Sequence, residues 1–112
     1  MDLSLTMGTD SAGRTVLEVG GEVDAYSAPT LGERITDILD GGERRLVVDL
    51  DGVGFIDSTG LGVLVGGFNR ARDLGGRLDL VCGSERVLKL LRITGLDDVF
   101  TVHSSRADIG AD

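Results

Sequence analysis

The 112 residues include no tryptophan, one proline, one cysteine, one histidine and one lysine. Each scarcity closes a class of function. One cysteine makes no internal disulfide, and Cys82 sits in an apolar run, where it reads as a small buried hydrophobe rather than a reactive thiol. One histidine and one cysteine fall short of the usual zinc ligand set. The only lysine, Lys89, ends no glycine-rich phosphate loop. Ser58-Thr59-Gly60 supplies the second half of a hydrolase nucleophile elbow, but Ile56 stands where the first glycine is required. The only histidine, His103, lies near the end of the chain, so a catalytic triad is disfavoured and the protein reads as a non-enzyme.

Basic residues are also in deficit. Eleven Lys and Arg face nineteen Asp and Glu, for a formal net charge of -8. Neutralising nucleic-acid phosphates needs the opposite sign, and so does binding an anionic membrane surface. No stretch approaches the roughly 20 apolar residues of a membrane span. The start, Met1-Asp2-Leu3-Ser4-Leu5, has neither the basic region nor the apolar core of a signal peptide. A cytoplasmic protein without nucleic-acid or membrane partners is expected, and no residue set asks for a cofactor.

What is plentiful is glycine, with 18 residues, and aliphatic carbon. Aromatics make up only 4% of the chain while 41% is hydrophobic, so the core must be Val, Leu and Ile. The length suits one domain over 1–112, with a core at about 3–103 and a polar, frayed tail over 104–112. Leu3, Leu5 and Met7 alternate as in a half-buried strand, and a turn cluster over 9–13 leads to a second strand over 15–19, which together predict an antiparallel hairpin. Ser27 is placed to cap a helix carrying Leu31, Ile35, Ile38 and Leu39 on one face, with Gly41-Gly42 beyond its end. Residues 44–50 are nearly continuously apolar, which marks a central parallel strand. A helix after Thr59 carries Leu61, Leu64, Val65, Phe68 and Ala71; a strand follows over 77–82, then a helix capped by Ser84, and a short strand over 100–102. The order predicts an α/β domain with a mixed sheet of four or five strands and helices packed on it.

Four glycines in the helix after Thr59 need a reason, since each interior glycine costs about 0.8–1.0 kcal/mol against alanine. Gly66 and Gly67 fit close contact with the sheet. Gly60 and Gly62 fit that reason and a partner's close approach equally well.

The loop before this helix holds the candidate site. Asp24, Asp49, Asp51 and Asp57 stand near strand ends, but a phospho-accepting aspartate site would want a lysine beside it and none is placed there. Asp49 and Asp51 read as solvated turn acids. Ser58 and Thr59 each fit a helix cap. Ser58 also follows a central strand, where open α/β sheets place their sites, and it is preceded by an acid and followed two residues on by a glycine. A phosphate there adds about -1.5 to -2 charges. The helix dipole favours it by about 0.3–1 kcal/mol, so the fold tolerates it. In an interface, by contrast, two unit charges 5 Å apart repel by roughly 3 kcal/mol at an effective dielectric near 20. Phosphorylation at Ser58 is therefore expected to switch binding off without unfolding the domain.

Gly21-Glu22-Val23-Asp24 and Phe55-Ile56-Asp57-Ser58-Thr59-Gly60-Leu61-Gly62 resemble the two signature segments of the anti-sigma factor antagonists, which are STAS-domain proteins. The resemblance covers roughly residues 3–103. It implies a mixed sheet with helices on one side. It implies an unphosphorylated form that binds an anti-sigma factor, itself a serine kinase of the histidine-kinase-like ATPase type, and so releases the sigma factor. It implies phosphorylation at Ser58, reversed by a PP2C-like phosphatase, and partner contact or acceptor positioning by Asp24, Asp57, Thr59, Gly60, Leu61 and Gly62. Thr59, where a second serine is common, leaves a neighbouring hydroxyl as the rival acceptor. The alternative is a STAS module serving a transporter or a signalling scaffold.

Overall fold

The computed structural model describes residues 2–110. Five strands form one sheet in the order β1-β2-β3-β4-β5: β1 (Ser4–Thr9), β2 (Thr15–Val23), β3 (Arg45–Ile56), β4 (Arg77–Val81) and β5 (Thr101–His103). The β1–β2 pair is antiparallel, and every later pair is parallel. The hairpin turn is built by Asp10. Its Oδ1 accepts from the Ala12 amide at 3.0 Å and the Arg14 amide at 2.9 Å, and its Oδ2 accepts from Arg14 Nε at 2.7 Å.

Three helices make the crossovers: α1 (Ala28–Asp40), α2 (Ser58–Asp73) and α3 (Glu85–Ile93). The strands step across the sheet in one direction, and parallel crossovers are right-handed, so all three helices fall on the same side. Leu17, Val19, Leu46, Val48, Leu50, Leu78 and Leu80 alternate toward that side and form the main core with Leu31, Ile35, Leu39, Leu64 and Leu91. The predicted mixed α/β sheet and its one-sided helices are as expected.

The strands differ in extent. β3 continues to Ile56 instead of stopping at 50, because β2 also runs on to Val23 and the two stay paired across two register shifts. The shifts fall at Gly20, Gly21 and Gly52, where the backbones crowd: a Cβ on Gly52 would lie 3.1 Å from the Val19 carbonyl oxygen. The segment after position 50 is thus a strand extension that carries the site to the rim.

The face without helices overturns two expectations. Asp49 is 8% exposed, not a solvated turn acid. It lies in β3 and its Oδ2 accepts from Arg106 Nε at 2.8 Å. Asp51 is exposed but tied, its Oδ1 accepting from the Gly83 amide at 2.7 Å. The frayed tail is likewise corrected over its described part, 104–110. A 3₁₀ turn over Arg106–Asp108 lets Arg106 reach both Asp49 and Glu18, and Ile109 packs on Val16, Val47 and Val81. Without helices there, the apolar side chains of that face need some other cover, and the tail supplies it.

The helix starts also differ in detail. Ser27 and Ser84 hold the N-cap positions of α1 and α3, but neither hydroxyl caps its helix. Ser27 Oγ instead donates to the Glu22 carbonyl at 2.8 Å and accepts from the Asp24 amide at 2.9 Å.

Candidate functional site

The site lies where β2 and β3 end side by side. Val23 pairs with Ile56, and the Asp57 amide donates to the Val23 carbonyl at 3.1 Å. This bond brings the end of the first signature segment against the start of the second. Asp57 is the N-cap of α2: its backbone is extended and its Oδ1 accepts from the Gly60 amide at 3.0 Å. A carboxylate at that end satisfies an orphan amide and complements the helix dipole.

The aspartate's role frees both hydroxyls. Ser58 and Thr59 open the first turn of α2 and are exposed, and neither side chain has a hydrogen-bond partner among the described residues. The expected choice between cap and free hydroxyl is settled by the residue before them. The Ser58 hydroxyl is bonded to no base among the described residues, and the adjacent Asp57 carboxylate is engaged with the Gly60 amide. The His103 imidazole is engaged with Asp79 at 2.9 Å, at the end of β5, and Lys89 lies on α3.

Asp24 begins the β2–α1 loop and folds it into an Asx turn. Its Oδ1 accepts from the amides of Tyr26 and Ser27, each at 3.0 Å, and from Ser27 Oγ at 3.2 Å. The Ser27 amide above all, and then the Tyr26 amide and Ser27 hydroxyl, hold the Asp24 carboxyl below its ordinary value against a smaller opposing effect of burial. The group is a fixed negative charge at the same rim as Ser58.

The glycines separate by what lies beside them. A Cβ on Gly60 would stand 2.7 Å from Ile56 Cγ1 and from Val23 Cγ1, and one on Gly67 would stand 2.9 Å from Ile35 Cγ2. Both let α2 sit close on its neighbours. Gly62 and Gly66 are exposed with nothing within 4 Å of such a Cβ. Close contact with the sheet was expected for Gly66 and is not found, because it lies on the outer face of α2. Leu61, at 5% exposure, belongs to the core. Of the six residues expected around Ser58, then, Asp24, Asp57, Thr59 and Gly62 reach the surface, while Gly60 and Leu61 support it from below.

Sequence reasoning passed over three residues at this rim. Tyr26 is 95% exposed, Phe55 46% and Ile93 70%. The aromatic count carried a signal: with only Phe and Tyr available for four positions, any that fall outside the core stand out.

Known proteins resemble this chain in sequence and fold. The family model described as STAS domain matches residues 6–109. An anti-sigma-B factor antagonist of Bacillus subtilis is 42% identical over 86 residues, 77% of this chain and 78% of that protein. An anti-sigma-B factor antagonist of Staphylococcus aureus is 38% identical over 78% of this chain and 81% of its own length. Among solved structures, an anti-sigma factor antagonist from Mycobacterium paratuberculosis superposes with a TM-score of 0.86 at 25% identity, covering 96% of this chain and 90% of the other. With the family model spanning nearly the whole chain and relatives this similar, the chain belongs to the STAS domain family, beside these anti-sigma factor antagonists.

Proposed function

We propose that this chain is an anti-sigma factor antagonist controlled by phosphorylation of Ser58. Its unphosphorylated form binds an anti-sigma factor of the histidine-kinase-like ATPase type in the cytoplasm and so releases the sigma factor. The bound kinase transfers a phosphoryl group to Ser58, the complex parts, and a PP2C-like phosphatase resets the cycle. The protein is a substrate and a binding partner, not a catalyst. One observation carries the reading: an exposed hydroxyl without a partner among the described residues opens α2, directly after a capping carboxylate. The relatives named anti-sigma-B factor antagonists support it.

Physical chemistry gives the direction of the switch. Phosphate on Ser58 adds about -1.5 to -2 charges at a helix N-terminus, where the dipole tolerates an anion. In a desolvated interface the same charge stands beside Asp57 and on the rim of Asp24. A penalty of roughly 3 kcal/mol corresponds to about a hundredfold in affinity. Asp24, Asp57, Thr59 and Gly62 belong to the contact face on this reading, and Gly60 and Leu61 hold it in shape.

Paired baits test it. Wild-type chain and Ser58→Asp are exposed to lysate of cells carrying the gene, and the retained proteins are identified by mass spectrometry. The expected outcome is a histidine-kinase-like ATPase held by wild type and lost with Ser58→Asp. Incubating that ATPase and ATP with Ser58→Ala should give no phosphorylated chain, whereas Thr59→Ala should still accept phosphate; the reverse pattern moves the acceptor to Thr59. If both baits hold the same proteins and none is such an ATPase, the chain instead serves a transporter or a signalling scaffold.

A further inference from the structure

The chain has four aromatic residues and spends two of them inside. Phe68 and Phe100 meet edge to face with centroids 5.5 Å apart. The other two, Tyr26 and Phe55, stand in solvent, and both lie at the rim that carries Ser58. Tyr26 is two residues past Asp24, and Phe55 is three residues before Ser58. Exposed aromatics on an otherwise aromatic-poor chain are the residue type that dominates binding energy in protein interfaces. The backbone under Tyr26 is fixed by its bond to Asp24, so presenting this ring costs little ordering.

Phe55 forms one wall of a groove of about 270 Å³ against α3, with Val87, Leu90 and Ile93 opposite. That volume lies below the range of ordinary small-molecule pockets but admits an inserted apolar side chain. Its rim is cationic. Arg86 Nη1 donates to the Gly54 carbonyl at 3.4 Å, and the Lys89 ammonium has no partner among the described residues. On the other side, the flank of Tyr26 is acidic, with Asp24 bonded to the Tyr26 amide. The rim is therefore bipolar on a chain whose net charge is -8.

We propose that Tyr26 and Phe55 are the two anchors by which this face grips the anti-sigma factor, one on each side of Ser58. The opposite charges of the two flanks fix which way round the partner docks. The inference rests on the function proposed above. The matching surface on the anti-sigma factor is basic where it receives the Tyr26 ring, and it inserts an apolar side chain with acidic neighbours between Phe55 and Ile93. Complementary charge of this kind sets orientation and association rate more than affinity, and the aromatics supply the affinity.

The ATPase recovered with wild type and lost with Ser58→Asp is purified and titrated into the variants. Tyr26→Ala and Phe55→Ala should each weaken binding about tenfold or more; the melting temperature should be unchanged for Tyr26→Ala, whose side chain is 95% exposed, and should fall only slightly for Phe55→Ala, which is half-buried against α3. Tyr26→Phe should restore most of the affinity. Lys89→Glu should slow association, most strongly at low salt. Unchanged affinity in both alanine variants, with binding still abolished by Ser58→Asp, overturns the anchors and leaves the function standing. Self-association of wild type that either alanine variant abolishes, without change in affinity for the ATPase, assigns the rings to a second copy and also overturns them. Recovery of no ATPase overturns the function and this proposal with it.

Discussion

A single carboxylate decides what Ser58 is free to do. Asp57 takes the Gly60 amide, so neither hydroxyl after it is needed to start α2. Glycine at position 60 follows from the same geometry. Gly60→Ala gains helix propensity but drives a Cβ to 2.7 Å from two side chains on the strands beneath. Overpacking of this kind costs about 1–3 kcal/mol, more than the propensity returns. Gly62→Ala and Gly66→Ala meet open space and should stabilise the domain by up to about 1 kcal/mol each. Urea midpoints of the three variants check this. On the proposed function Gly62→Ala should also bind the anti-sigma factor less tightly than wild type, which separates a glycine kept for contact from one kept for close contact with the fold. Cys82 is buried within the main core, and burial pushes its thiol up, in line with an inert hydrophobe.

At the scale of elements, the C-terminal segment takes the place of a helix layer. Arg106 binds Asp49 and Glu18, the Arg14 guanidinium donates to the Gly110 carbonyl, and Ile109 covers three valines. Arg106→Ala leaves Asp49 without its guanidinium on a face where its side chain is 10% exposed. Because Arg106 itself is 40% exposed, solvent moderates the loss, and about 1 kcal/mol is expected. Ile109→Ala should cost a similar amount through lost apolar contact, on the order of 1 kcal/mol. Both should lower the urea midpoint, and neither should alter phosphate uptake at Ser58. An unchanged midpoint in both would mean that the segment contributes no stability. Most elements were legible because their periodicity is strong: α1, α2 and β4 lie where apolar spacing places them. The extension of β3 was not, because Gly52 and Gly54 carry no strand signal and only pairing with β2 keeps them extended.

The whole molecule carries its negative charge with local compensation at its turns. Burial pushes the Asp10 carboxyl up, but the Arg14 amide and guanidinium and the Ala12 amide outweigh it and leave it below the ordinary value of 3.8. Asp24 is lowered as well. A carboxyl whose folded value is depressed binds its proton more readily in the unfolded chain. Its stabilisation is fully present above the unfolded value and is lost as pH falls through the folded one. Urea unfolding should therefore show stability declining below about pH 4, with Asp10→Asn and Asp24→Asn reducing the slope. A variant whose stability changes with pH as wild type does would show that the turn it belongs to does not contribute.

The sequence by itself determined the element order, the aliphatic core and the site motif, because these rest on local spacing: apolar residues at helical or alternating intervals, and an acid beside two hydroxyls and a glycine. Tertiary structure alone decided the rest. Pairing of Val23 with Ile56 brings two segments more than thirty positions apart to one rim, which local spacing does not encode. The bare face of the sheet turned Asp49 from a turn acid into a buried partner of Arg106, because a side chain's burial depends on what covers its face. Exposure likewise sorted four aromatics into two for the core and two for the rim, since an isolated Phe or Tyr has no periodicity to reveal the side on which it falls.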